Sequence, residues 1–184
     1  WIDNSDNNLL VNEEMVIKSI DNLTLKFLCN DDKIYKMYMN GEDVDNEIKN
    51  PNVSQYVSQI SAYPTVRKKI VFLQQKMGEL KGVVMEGRDI GSVVFPNAEL
   101  KLFVTASIMV RAKRRHAEML RLGLNITFEE VLENLKMRDL SDSRRKHSPL
   151  IQVKDAILID NTLLDINEQF HLVISVLKKK KHIS

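Results

Sequence analysis

Residues 83–96 read Val-Val-Met-Glu-Gly-Arg-Asp-Ile-Gly-Ser-Val-Val-Phe-Pro, and this stretch constrains the fold more than any other. Val83, Val84 and Met85 form a short apolar run after Gly82. Glu86, Gly87, Arg88 and Asp89 break it abruptly, and Gly91 and Pro96 close a loop. An apolar run ending in glycine and opposed charges predicts a buried parallel strand that delivers a polar loop to its carboxyl end. Open α/β sheets bind ligands at that end. Arg88 supplies a planar five-donor fork suited to phosphate, and Asp89 an acceptor beside it. Taken as a tripeptide alone, Gly-Arg-Asp fits a surface turn after an edge strand equally well.

Two more runs of the same kind follow, at 100–105 (Leu-Lys-Leu-Phe-Val-Thr) and 156–160, each predicted as a buried strand. Helical signals separate them. Ser107 is an N-cap for a helix that Gly123 stops, with Ile108, Ala112, His116 and Met119 on one side. His116 on that face is expected to pack rather than to act as a base. Arg111, Lys113, Arg114, Arg115 and Arg121 make this helix basic, and Arg111 and Arg115, one turn apart, share a face. Thr127-Phe-Glu-Glu130 is a capping box opening a helix to about Arg138. Residues 138–150 then crowd Arg138, Arg144, Arg145 and Lys146 with Asp139 and Asp142, which reads as a charged loop. Asp165 to Glu168 caps a last helix with Ile166, Phe170, Val173, Ile174 and Leu177 inward. Lys178 to Lys181 suit its C-terminus electrostatically. Strands alternating with helices make the chain α/β.

The first third reads differently. A polar start leads to a weak helix over 13–20. Residues 23–29 and 34–39 alternate apolar and polar around Asn30-Asp31-Asp32 and form a hairpin, with a turn at 41–43 and a short third strand at 44–48. Asn50-Pro51 opens a helix over 50–62. Pro64 opens another, with Val66, Ile70, Leu73 and Met77 on one face and Arg67, Lys68 and Lys69 in its first turn. Cations there oppose the helix dipole, a local cost that hints at function as readily as at a solvated basic face.

The 184 residues fit one domain, and 43% apolar residues suffice for a core. A net charge of +2 argues against a protein that coats nucleic acid polymers, so any basic site must be local. Cys29 stands alone, which excludes an internal disulfide and suits a reducing compartment. No apolar run approaches membrane-spanning length, and a membrane partner is not expected.

The stretch Gly-Arg-Asp-Ile-Gly-Ser-Val-Val-Phe-Pro resembles bacterial cytidylate kinases, which phosphorylate CMP and dCMP. So do Gly-Glu-Asp-Val at 41–44, Ser58 through Arg67, and the Arg138…Asp142…Arg145…Pro149-Leu150 series. The resemblance spans roughly residues 21–177. It implies the nucleoside monophosphate kinase fold: a parallel sheet with flanking helices and a small antiparallel insert, residues 21–62, that binds the monophosphate. It implies a lid at 138–150, ATP with Mg2+ as phosphoryl donor, a cytoplasmic enzyme and a monomer.

The same resemblance assigns roles. Ser58, Arg67 and Asp89 would read cytosine, with Asp89 accepting from the exocyclic amino group that uracil lacks. Arg138 and Asp142 would hold the ribose hydroxyls. Arg88 and Arg145 would meet the phosphates and serve catalysis, and Arg111 and Arg115 would contact ATP. No residue is assigned as a metal ligand. Such kinases also carry a Gly-x-x-x-x-Gly-Lys-Ser/Thr loop near the N-terminus and an Asp-Ser-Gly-x-x-Tyr-Arg stretch after it, and neither occurs among the six glycines here. The expectation is a single incomplete kinase domain over 1–184, a member of that family without roughly its first forty residues. The parallel strands would then lack a shared partner. The alternative expectation is a non-catalytic nucleotide-binding remnant or partner-dependent fragment.

Overall fold

The computed structural model describes residues 2–3, 10–11, 13–29, 33–49, 53, 56–57, 60–145 and 148–181. They fall into two compact units, Trp1–Val84 and Met85–Ser184.

In the first unit, β1 (Ile2–Asp3) and β2 (Leu10–Val11) pair antiparallel ahead of α1 (Glu13–Ile20). The expected hairpin is present as β3 (Leu25–Cys29) and β4 (Tyr35–Met39), in register from Leu25 opposite Met39 to Cys29 opposite Tyr35. The third strand is β5 (Glu42–Asp43), not 44–48, which is largely a turn. The cause is Asn40-Gly41: both residues take positive φ, 52° and 91°, which suits a two-residue turn that starts pairing at once. Asp43 then takes Lys36 Nζ at 2.7 Å across the ladder. That contact raises the Lys36 pKa through its hydrogen bond to the carboxylate.

Helix α2 (Pro64–Gly78) starts where proline at the first helical position predicts. Its Val66 packs with Val16 and Ile20 of α1, and Leu23, Tyr56, Ile60, Tyr63 and Ile70 close the cluster. Lys69 Nζ donates to Asp21 O at 2.8 Å, so one cation of the basic first turn ties the loop after α1 to α2. The helix expected over 50–62 falls largely outside the described residues.

The second unit holds the parallel sheet. Strands β6 (Leu102–Thr105) and β7 (Ile157–Asp160) pair in parallel, Leu102 opposite Ile157 and Thr105 opposite Asp160. Between them, α3 (Ile108–Arg121) and α4 (Phe128–Arg144) pack together through Ala112, fully buried, and Val131. Ser107 caps α3 by accepting from Val110 N, and Gly123 at φ 76° ends it. The reciprocal Thr127–Glu130 capping box opens α4. It lowers the Glu130 pKa, because the Thr127 amide and hydroxyl donate to the carboxylate. Helix α4 runs to Arg144, past the expected end near Arg138. Ion pairs one turn apart and a Ser143 Oγ bond to Asp139 O continue it through the charged segment. Helix α5 (Ile166–Lys181) carries the expected Asp165–Glu168 box, each amide bonded to the other side chain at 2.8 Å.

Residues 83–86, expected as a buried strand, pair with no strand among the described residues and are mostly exposed, Val84 completely so. Likewise Ile166, Phe170 and Leu177 of α5 face outward, where burial was expected. Only Val173 and Ile174 of that face are half-buried. Both departures have one physical cause. A strand and the helix above it are covered only if neighbouring strands exist, and β6 and β7 form a sheet of two among the described residues.

Candidate active site

The Gly-Arg-Asp stretch forms one wide turn. Asp89 O accepts from Val93 N at 2.8 Å, and Ile90 O accepts from Phe95 N at 2.6 Å, which winds residues Ile90–Val94 into a π-helical turn. Asp89 is buried at its head. Gly87 leaves space that a side chain would not, since a Cβ there would lie 2.9 Å from Ile90 Cγ1. Arg88 projects from this turn to the end of α4, where its Nε lies 3.0 Å from Asp142 Oδ2.

Asp142 is the hub. Its carboxylate is 9% exposed and has Arg138 Nε at 4.0 Å and Arg145 Nη1 at 3.5 Å in addition to Arg88. Helix periodicity explains part of this, because residues three and four apart share a face. Arg145 caps α4, and its Nε donates to Ser148 O at 2.6 Å, so the chain turns back at this point. Leu150 N closes the turn on Asp142 O. Asp142 Oδ2 accepts no hydrogen bond of good geometry from the described residues although it is buried. Its charge is met there by the Arg88 guanidinium as an ion pair.

The arrangement therefore brings together Arg88, Arg138, Asp142 and Arg145. Three guanidiniums around one carboxylate leave net positive charge, a setting for anionic oxygens. Arg111 and Arg115 are already engaged. Arg111 forks onto Asp139 at 2.7 and 3.1 Å, with its Nε on Ala106 O, and Arg115 pairs with Glu118 at 2.7 Å. Both still line an open depression of about 620 Å³ with Arg114, Arg121 and Leu122. His116 packs as expected, its Nε2 3.0 Å from Ile126 O and its ring edge-on to Phe128. At the end of β7, the Asp160 pKa is lowered because the Thr162 hydroxyl and amide donate to it. Arg67 belongs to the first unit, half-buried, with Nη1 on Ser61 O at 3.4 Å. Ser58 lies outside the described residues.

Among the described residues, no three His, Cys, Asp or Glu side chains converge to hold a metal ion. The arginine cluster carries the charge to meet anionic oxygens rather than a metal ion. Also among them, no helix is long and apolar enough to cross a membrane. The sequence reading gave no role to Asp139, the partner that fixes Arg111, or to Lys101, buried beside the Gly-Arg-Asp turn. A lone lysine inside an apolar strand run was the available signal for the second.

Residues 4–179 match the family model for cytidylate kinase. The chain belongs to the cytidylate kinase family. It is 47% identical over 168 residues to the cytidylate kinase of Flavobacterium psychrophilum, an alignment covering 91% of this chain and 74% of that relative. It is 46% identical to that of Flavobacterium johnsoniae over 90% of this chain and 72% of the relative. Against that of Parabacteroides distasonis it is 47% identical over 86% of this chain and 70% of the relative. Membership makes the chain a kinase, a phosphotransferase with nucleotide substrates, on the family's α/β fold.

Proposed function

We propose that this kinase carries the γ-phosphoryl group of ATP to CMP or dCMP, giving CDP or dCDP. The observation that supports it is Asp142: a buried carboxylate ringed by Arg88, Arg138 and Arg145. The carboxylate can also accept from a sugar hydroxyl, and the guanidiniums can donate to phosphate oxygens. Phosphoryl transfer asks a protein for positioning and charge stabilisation more than for covalent chemistry. In this reading Arg138 and Asp142 hold the ribose, and Arg88 and Arg145 meet the phosphates. Arg67, Ser58 and Asp89 read cytosine, and Arg111 and Arg115 bind ATP. Residues 21–62 form the monophosphate-binding insert and 138–150 the lid of one kinase domain, working as a cytoplasmic monomer.

The 184 residues contain no Gly-x-x-x-x-Gly-Lys-Ser/Thr to cradle the ATP phosphates. This polypeptide by itself is therefore expected to give no appreciable ADP formation with CMP in a coupled assay. The second reading is a non-catalytic nucleotide-binding remnant or partner-dependent fragment. Two measurements decide. By titration calorimetry the chain should bind CMP at least about tenfold more tightly than UMP, and Asp89→Asn should erode that ratio, since an amide can turn its NH₂ to the uracil carbonyl. A form of the chain joined to a phosphate-binding loop should turn CMP over. Binding without turnover in that form would favour the remnant, and no CMP binding at all would sink both.

A further inference from the structure

Lys101 is the only lysine among the buried polar residues of the described chain, 8% exposed at the start of the apolar strand β6. An ammonium is buried at a cost unless it is paired and hydrogen-bonded. Here Nζ donates to Pro96 O at 2.6 Å and meets Asp155 Oδ2 at 2.7 Å. Pro96 is the last residue of the Gly-Arg-Asp stretch. Asp155 stands in the turn before β7, its carboxylate 63% exposed. The lysine stem runs against Gly91, where a Cβ would lie 3.3 Å from Lys101 Cδ. Its backbone is fixed independently, since Lys101 O accepts from Ile157 N at 2.9 Å. One side chain thus joins the end of the turn that carries Arg88 and Asp89 to the rigid β6–β7 register.

We propose that Lys101 is a positioning residue for substrate: its buried ammonium clamps Pro96 O to Asp155 and so holds the turn that presents Arg88 and Asp89. The inference rests on the assignment of those two residues to CMP. The reasoning is geometric. The turn is closed by its own amides onto Asp89 O and Ile90 O, but those bonds only shape it. Lys101 supplies an anchor to the sheet through a side chain. A charge-assisted bond to a backbone carbonyl is strong and directional, and a methionine of similar length keeps the stem packing while deleting the clamp.

The test uses the 184-residue chain with Lys101→Met, Lys101→Arg and Asp155→Asn, read first without ligand. Hydrogen exchange at the Val93 and Phe95 amides should quicken at least about tenfold in Lys101→Met while amides of α3 and α4 keep their rates. Lys101→Arg should restore part of the protection. Asp155→Asn, at an exposed group that leaves the lysine its carbonyl, should loosen the same amides less. The second reading is CMP affinity by calorimetry in a cycle with Arg88→Ala. Lys101→Met should weaken CMP at least about fivefold in the parent and much less once Arg88 is gone, because both act through one turn. Additive losses, or unchanged exchange at Val93 and Phe95, would overturn the proposal. So would loosened amides with unchanged CMP affinity. A parent chain that does not bind CMP would count against the substrate assignment, while the exchange arm still judges the clamp.

Discussion

The helical hairpin α3–α4 and the sheet layer β6–β7–α5 lie in the same unit and are finished to different degrees. In the hairpin, Ala112 is fully buried, Val131 nearly so, and Arg111 forks onto Asp139 across the two helices. In the sheet layer, Val104 is 51% exposed, Leu158 53% and Phe170 61%. The difference follows from where each element finds its partners. A helix satisfies its own backbone, and two helices joined by a short turn bury their facing stripes at once. A parallel strand has no internal hydrogen bonds and needs neighbours on both edges and cover on both faces, all brought from distant sequence. Local code completes the first kind of region and only begins the second.

The largest effect expected is at the point where the hairpin becomes the site. In a form of the chain joined to a phosphate-binding loop, Arg145→Ala should lower kcat/KM by about 10²-fold or more, the usual loss for a transition-state charge partner. Arg144→Ala, an exposed residue one position earlier, should cost far less. Melting temperatures of both should stay close to the parent, since the hairpin core lies elsewhere. Equal small losses would mean that the Asp142 cluster does not face the phosphates.

A second measurement compares the two regions directly. Val131→Ala removes two buried methyl groups between α3 and α4 and should cost about 2 kcal/mol in chemical denaturation. Phe170→Ala removes a larger side chain from the open face of α5 and should stay within about 0.5 kcal/mol. The chemistry alone predicts the opposite order. A costlier Phe170→Ala would show that the sheet layer is covered in solution.

What was legible in the sequence divides along the same line. Caps at Ser107, Thr127 and Asp165, the stops at Gly123 and the proline start of α2 are local signals, and each appears where its residues say. The runs 100–105 and 156–160 were legible as strands split by helices, while their pairing with each other came from the structure. The strand read at 83–86 and the inward face read for Ile166, Phe170 and Leu177 of α5 are not seen, because both depend on partners that no local pattern specifies. In the site, Arg138, Asp142 and Arg145 were readable as a series only through the family resemblance, since the segment itself reads as a charged loop and its helical turn spacing came with the longer α4. That Arg88 would join them was a tertiary fact carried by the turn at 87–96. Lys101 was invisible as an anchor, because a lysine in a strand reads as an outward residue until the space at Gly91 and the carbonyl of Pro96 are known.

The smallest effect expected is in acid, and it too separates the regions. Asp155 serves the sheet layer and Glu130 the hairpin, and both carboxyls sit below their ordinary pKa: Asp155 through its bond from Lys101, Glu130 through the Thr127 amide and hydroxyl. A group whose folded pKa is depressed adds stability that is fully present above its unfolded pKa, near 4. That stability is lost as pH falls through the lower, folded value. The melting temperatures of Asp155→Asn and Glu130→Gln should therefore lie slightly below the parent from pH 7 to about 5, exposed pairs being weak. Each gap should close as the pH is taken below about 4. The regional difference lies in which amides respond. Exchange at the first turn of α4 should follow Glu130→Gln alone, while exchange at Val93 and Phe95 should follow Asp155→Asn alone. A gap that persists unchanged to pH 2.5 would assign the loss to packing rather than to the carboxylate. An Asp155→Asn response appearing in α4 would mean that the hairpin leans on the sheet after all.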